Sequence, residues 1–312
     1  MEKIQHAIAK AREIREAQLQ GKAGAVPTTP APGGPAGSER VATAPAANTV
    51  PTPAATAAPT TAAWAAGTAE ATPDLEQRWL ALPEIQISDR RLRRSRILTS
   101  MGGKDSAEFD MIRTRIVQAQ RANGWRTIAI TSANPSSGKS TLVLNLAFSF
   151  ARHPEHRTLI AEVDLRRPSL AKTLGVRQGY NFASVLGGSS AFEDNSFRIG
   201  KNLIFSTNEK PSRNSSELLQ SEQATSALQT IAERYAPTVT LFDMPPMLVG
   251  DDAISFLPKV DAAILVVEAE HTTRKQIDLC EREIADQTNV MGIVLNKCRY
   301  IDRDQNYGYD YY

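Results

Sequence analysis

Six short apolar runs recur through the last two-thirds of the chain: "WRTIAITS" (125–132), "RTLIAEVD" (157–164), "NLIFST" (202–207), "TVTLFD" (238–243), "AAILVVEA" (262–269) and "VMGIVLNK" (290–297). They are too short for buried helices and rich in β-branched residues, so each predicts a strand. Most are near-continuous rather than alternating, which predicts strands covered on both faces. Between them the apolar period lengthens to that of a helix, notably over "SAEFDMIRTRIVQAQRA", 216–234 and 273–286. Strand and helix in alternation predict an α/β fold with a mostly parallel central sheet covered by helices on both faces. In such sheets ligands bind beyond the carboxyl ends of the strands.

The first hundred residues read differently. Residues 1–22 carry Ile4, Ile8, Ala11, Ile14 and Leu19 at near-helical spacing and predict an amphipathic helix, either solvated or docked on a protein partner or membrane surface. Residues 23–75 are mostly Ala, Pro, Thr and Gly, a composition that cannot build a core and predicts a disordered linker. Residues 76–103 form a basic connector. Arg90, Arg91, Arg93, Arg94 and Arg96 suit either solvent or an acidic or anionic-lipid surface, and Trp79 and Leu80 suit docking on the main domain. The main domain is then 104–299, followed by a tyrosine-rich tail, 300–312.

Composition narrows the function. A net charge of +2 across 312 residues is far from the basic excess of a dedicated nucleic-acid binder, so no nucleic acid is expected as partner. Only the arginine run speaks for DNA partitioning. Two cysteines without CxxC spacing and four scattered histidines predict neither a disulfide framework nor a zinc site. No eighteen-residue apolar window and no secretory leader are visible, so the expected address is the cytoplasm, with peripheral attachment to the inner membrane through a partner left open.

The densest chemistry follows the first strand. "ANPSSGKST" (133–141) stands between a strand and a helix, the context of a phosphate-binding P-loop, although Ala133 replaces its usual first glycine. Ser136, Ser137, Gly138, Lys139, Ser140 and Thr141 would cradle a nucleotide: backbone N–H groups on phosphate, Lys139 on the β- and γ-phosphates, and the Ser140 hydroxyl on Mg²⁺. Two further strand ends are acidic. Alternation places Glu162 and Asp164 on one side, one to orient Mg²⁺ or its water and the other to accept a hydroxyl proton. Asp243, in "LFDMPP", suits a metal-bound water. Arg166 and Arg167 suit phosphate neutralisation or a subunit contact.

These stretches, in this order, resemble the cytoplasmic domain of bacterial tyrosine kinases (BY-kinases) of exopolysaccharide synthesis, within the P-loop ATPases that include partitioning and septum-positioning proteins. The resemblance rests on "SANPSSGKSTLVLNLA", "LIAEVDLRRPSL", "RNSSELLQSE", "VTLFDMPPMLVGDDA", "VVEAEHTTRKQ", "MGIVLNK" and the tail, from about residue 104 onward. It implies ATP and Mg²⁺ as cofactors and a catalytic set of Lys139, Asp164, Glu162 and Asp243. Ser140, Asp243 and Glu162 would serve the metal, and Asn296 would lie near the adenine. It also implies autophosphorylation of Tyr307, Tyr309, Tyr311 and Tyr312. The implied partners are a membrane polysaccharide co-polymerase as activator, a tyrosine phosphatase and further copies of the chain in a ring. The chain departs from the family pattern at Ser136 and Ser137, where Gly-Glu is usual, and at Glu162, where aspartate is usual. Ala107, Asp110 and Arg113 stand where a ring-forming E-x-x-R-x-x-R is usual. An ATPase switch of the same fold, or a nucleotide-sensing regulator without kinase activity, is the alternative reading.

Overall fold

A computed structural model describes residues 73–298. The expected helix at 1–22, nearly all of the 23–75 linker and the tail at 300–312 lie outside the described residues.

Seven strands form one sheet: β1 (Thr127–Ser132), β2 (Thr158–Glu162), β3 (Ser196–Ile199), β4 (Leu203–Ser206), β5 (Val239–Asp243), β6 (Ala262–Glu268) and β7 (Asn289–Asn296). Their order is β3-β4-β2-β5-β1-β6-β7, and every neighbouring pair is parallel except β3 with β4. Six strands match the apolar runs. The seventh, β3, pairs antiparallel with β4 across a turn in which Gly200 adopts φ 64°.

Alternation within the strands divides the core into two layers. Ala129, Leu159, Ala161, Phe242, Ala263 and Leu265 face one side. Ile128, Ile130, Ile160, Leu241, Ile264 and Val266 face the other. Helices α1 (Pro73–Ala81), α2 (Asp89–Arg94), α3 (Ala107–Asn123), α4 (Lys139–Ala151), α5 (Leu170–Leu174), α6 (Phe182–Leu186), α7 (Ser215–Gln220), α8 (Glu222–Tyr235), α9 (Asp252–Phe256) and α10 (Arg274–Gln287) cover the two faces. Every residue of α4 from Leu142 to Phe150 is buried, because α4 lies between the sheet and α3.

The basic connector is folded onto the domain. Trp79 of α1 is buried and its indole N–H donates to the Tyr235 carbonyl at 2.7 Å, while Leu80 stays part-exposed. Leu92 and Ile97 are buried, and Asn145 of α4 ties down the segment after α2 through the Leu98 N–H (2.8 Å), the Arg96 carbonyl (2.9 Å) and its own carbonyl, which accepts from Thr99 (2.6 Å). Arg91 donates to the carbonyls of Lys172 and Thr173, placing a cation at the carboxyl end of α5, where the exposed carbonyls favour it. Asp110 of α3 is likewise engaged within the chain, with Arg152, Ser149, Ser106 and Arg113.

Candidate active site

Strand order brings the predicted residues together. β1 is flanked by β5 and β6, and β5 by β2, so the loops after β1, β2 and β5 share one end of the sheet. Register sets Asp243 beside both Ile130 and Glu162.

The loop between β1 and α4 is held from several sides. Its Ser136 sits at φ 64° and Gly138 at φ 96°. Both are left-handed conformations, which glycine adopts freely and other residues at a cost. Within the loop the Ser132 and Ser137 hydroxyls both donate to the Asn134 carbonyl, at 2.7 and 2.9 Å. From β7 the Asn296 amide donates to the Ser137 carbonyl at 2.8 Å. From α10 the Gln276 amide reaches the Asn134 side chain at 3.3 Å, while Gln276 also completes a capping box with Thr273. A methyl group at Gly138 would stand 2.1 Å from the Asn296 amide nitrogen. Asn296 thus grips the loop backbone. Ser140 and Thr141 follow Lys139 on the first turn of α4.

Lys139 makes a 2.8 Å ion pair with Asp164, and both side chains are largely buried. Burial works against the Lys139 charge, but Asp243, Asp164 and Glu162 outweigh it and hold its pKa above the ordinary lysine value. The second oxygen of Asp164 accepts from the Arg167 N–H at 3.2 Å, and the Asp164 N–H donates to the Asp243 carbonyl at 3.0 Å. Asp243 is fully buried and neither carboxylate oxygen has a hydrogen-bond donor. Burial pushes its pKa up to about 6, against the pull of Lys139 and the adjacent Ser140 hydroxyl, while Asp164 adds to the rise.

Glu162 is the last residue of β2, and Ala161, Val163 and Leu165 around it pack in one core layer. The Glu162 carboxylate accepts from three backbone N–H groups: Ser169 (2.5 Å) and Leu170 (2.8 Å) at the start of α5, and Asn208 (2.8 Å) after β4. Burial, then the charge of Asp243, pushes its pKa up to about 7 against those donors.

A cavity of about 170 Å³ opens beside Asp164, lined chiefly by Pro135, Arg166, Arg167, Pro245, Pro246 and Val249. Arg166 is committed within the chain. It pairs with Asp252, lies 3.6 Å from Asp251 and donates to Ser215 at 3.0 Å, which itself donates to Asp252 at 2.8 Å. Sequence reasoning did not single out Asn134, Gln276, Asn208, Ser215 or Asp252. Of these, Gln276 alone carries a sequence signal that could have found it, the Thr-x-x-Gln spacing of a capping box. The predicted acceptors Tyr307, Tyr309, Tyr311 and Tyr312 lie outside the described residues.

A mostly parallel sheet whose first strand runs through a lysine-bearing loop with left-handed residues into a buried helix defines a P-loop NTPase fold. No family model matches the chain. Among curated proteins it is 28% identical over 214 residues to "Tyrosine-protein kinase YwqD" of Bacillus subtilis (strain 168), spanning 68% of this chain and 89% of that protein. It is 26% identical over 209 residues to "Putative tyrosine-protein kinase CapB" of Staphylococcus aureus, spanning 66% and 90%. Among solved structures, the chimerical protein CapA2B2 superposes with a TM-score of 0.60 at 26% identity, over 72% of this chain and 98% of that one. The chain is homologous to the bacterial tyrosine kinases. Among the described residues no helix is long and apolar enough to cross a membrane.

Proposed function

We propose that the chain is an ATP-dependent protein-tyrosine autokinase that phosphorylates its own C-terminal tyrosines and thereby regulates exopolysaccharide synthesis or export. The observation that carries this reading is the convergence of Lys139, Asp164 and the donorless carboxylate of Asp243 at a phosphate-type loop, beside a cavity open to an acceptor. Two buried carboxylate oxygens without a donor next to a serine hydroxyl fit a small hard cation that takes one or two protein oxygens and completes its shell with phosphate and water. Asp243 and Ser140 would therefore hold Mg²⁺. That ion would neutralise charge on the phosphate oxygens.

In this reading ATP draws Lys139 away from Asp164 onto the β- and γ-phosphates, and the freed Asp164 faces the cavity. An acceptor tyrosine oxygen forms its bond to the γ-phosphorus as the bond to the ADP oxygen breaks. Asp164 takes the phenolic proton, which a group of pKa near 10 must lose for transfer to complete. Glu162 acts as a positioning residue, locking the start of α5 and the turn after β4 around the site. The partners of this reading are a membrane polysaccharide co-polymerase that activates the kinase, a tyrosine phosphatase that resets the tail, and further copies of the chain.

The test is one set of reactions with Mg-ATP and phosphotyrosine detection. Signal from the full chain that is lost in Lys139→Ala, Asp164→Asn and a chain ending at residue 306 supports the proposal. ATP turnover without phosphotyrosine would move the assignment to an ATPase switch. That second reading draws on Glu162, whose carboxylate is occupied by backbone donors instead of facing the acceptor.

A further inference from the structure

The arginine run of the connector is a charged surface that the P-loop site does not use. Between residues 88 and 104 the chain carries six basic residues, Arg90, Arg91, Arg93, Arg94, Arg96 and Lys104, against the single acid Asp89. Arg91 is tied to the fold through the Lys172 and Thr173 carbonyls. The other five are exposed, and none has a carboxylate within 4.0 Å among the described residues.

Helix geometry turns these cations outward. Leu92 is buried beneath α2. At 3.6 residues per turn, Arg90 and Arg94 lie within about 40° of each other on the side opposite Leu92. The Arg93 guanidinium lies 3.5 Å from the Met101 sulphur, so the helix and the segment after it share one surface. In that segment Ile97 and Thr99 are buried, while Leu98 between them is 40% exposed and Met101 is 65% exposed. The backbone beneath is anchored. The Ser95 hydroxyl donates to the Thr173 carbonyl at 2.8 Å, the Ile97 N–H to the Leu92 carbonyl at 2.9 Å and the Leu98 N–H to Asn145 at 2.8 Å. Local energetics do not account for the arginines. Like charges three and four apart destabilise a helix. Arg90 stands in the first turn, where the helix dipole opposes a cation. Arg96 sits at φ 58°, a conformation that glycine adopts at less cost.

We infer that this surface seats on an anionic lipid bilayer. Arg90, Arg93, Arg94, Arg96 and Lys104 would lie in the headgroup layer, where each basic residue close to a negative surface strengthens binding. Leu98 and Met101 would enter the boundary between headgroups and acyl chains. The projecting apolar pair favours lipid over nucleic acid, whose phosphates would take the cations and leave both side chains in water. Apart from Arg93 on the Met101 sulphur, none of the five cationic side chains has a hydrogen-bond partner among the described residues. A bilayer, unlike a protein partner, asks for no fixed guanidinium geometry. Asn145, which holds this segment, belongs to the helix that opens at Lys139, so the contact would set the orientation of the P-loop domain on the bilayer. The inference does not depend on the autokinase reading.

The test sediments the full chain with vesicles of equal parts phosphatidylglycerol and phosphatidylcholine, and with vesicles of phosphatidylcholine alone. Binding is expected to the anionic vesicles only and to fall as salt rises. Arg90→Gln and Arg94→Gln should each weaken it roughly fivefold, with circular dichroism unchanged. Arg90→Lys combined with Arg94→Lys should retain it, because the surface reads charge. Met101→Cys, carrying an environment-sensitive dye in a Cys298→Ser background that leaves only the buried Cys280, should shift its emission to the blue on the anionic vesicles. Ile4→Asp with Ile8→Asp should leave binding in place, as should Lys139→Ala. Equal binding to both vesicles, or indifference to the two glutamine substitutions combined, would overturn the proposal. So would a dye that stays in water while the chain sediments, loss of binding through Ile4→Asp with Ile8→Asp, or displacement of the vesicles by a DNA duplex. A chain that binds the vesicles yet forms no phosphotyrosine would leave this inference standing and the autokinase reading not.

Discussion

Gly138 shows how much one residue of the loop carries. Its φ of 96° and the Asn296 amide leave no room for a side chain. Gly138→Ala is expected to cost about 1–2 kcal/mol in backbone strain alone and to weaken Mg-ATP binding by more than tenfold in calorimetric titration. Adding Asn296→Ala should recover only part of that loss, because the clash is relieved and the strain is not. Ser136 accepts the same kind of strain with a Cβ in place, so glycine at that position should stabilise the loop. The buried acids give a second prediction. Glu162 and Asp243 have folded pKa values of about 7 and about 6, raised from 4.5 and 3.8. A raised value means stability that is complete below the unfolded pKa and is lost as pH rises through the folded one. The nucleotide-free protein should therefore lose stability between about pH 4 and pH 7, on the order of 3 kcal/mol from Glu162. Denaturant titrations across that range should show a shallower slope for Glu162→Gln, and an unchanged slope would contradict the burial argument.

At the scale of elements, the segment before the domain matters most. Trp79 is buried against α8 and its indole N–H is satisfied by the Tyr235 carbonyl. Trp79→Ala should destabilise the protein by about 3–5 kcal/mol. Trp79→Phe keeps most of the packing but strands a buried carbonyl, for about 1–2 kcal/mol. Equal melting temperatures for the two variants would count against the docking described. This segment also marks the limit of what the sequence conveys. β1, β2, β5 and β6 were legible because burial on both faces leaves long apolar runs. β3 was not, since it has four residues, one of them Arg198, and is held by its partner β4. In the connector, Leu92 and Ile97 are isolated among arginines, and only tertiary contacts show that Arg91 serves α5. The residues around the P-loop were readable because a strand, a tight loop and a helix must be contiguous in sequence. The backbone partners of Glu162 were not readable for the opposite reason: Ser169 and Asn208 come from separate turns, and no spacing announces them.

The molecule as a whole gathers its buried carboxylates around the P-loop end of the sheet. Around the P-loop, Lys139 is surrounded by the buried carboxylates of Asp164, Asp243 and Glu162, so a nucleotide arriving alone meets an excess of negative charge. Its phosphates would repel Asp243, which has no donor to offset them. Global stability should therefore respond to the nucleotide and the divalent ion jointly. A ligand present at a hundredfold excess over its Kd stabilises the native state by about 2.7 kcal/mol. For a domain of this size that is a rise in Tm of roughly 5–10 °C. ADP with Mg²⁺ should produce such a shift, and the same ADP with a chelator should produce little. Asp243→Asn removes the buried charge that the ion would neutralise. In that variant the difference between the two conditions should shrink, and ADP with chelator should stabilise more than it does in the unaltered chain. Lys139→Ala should abolish both shifts. A chelator-insensitive shift in the unaltered protein would mean that Asp243 is compensated by something other than a metal, and the role proposed for it with Ser140 would fall.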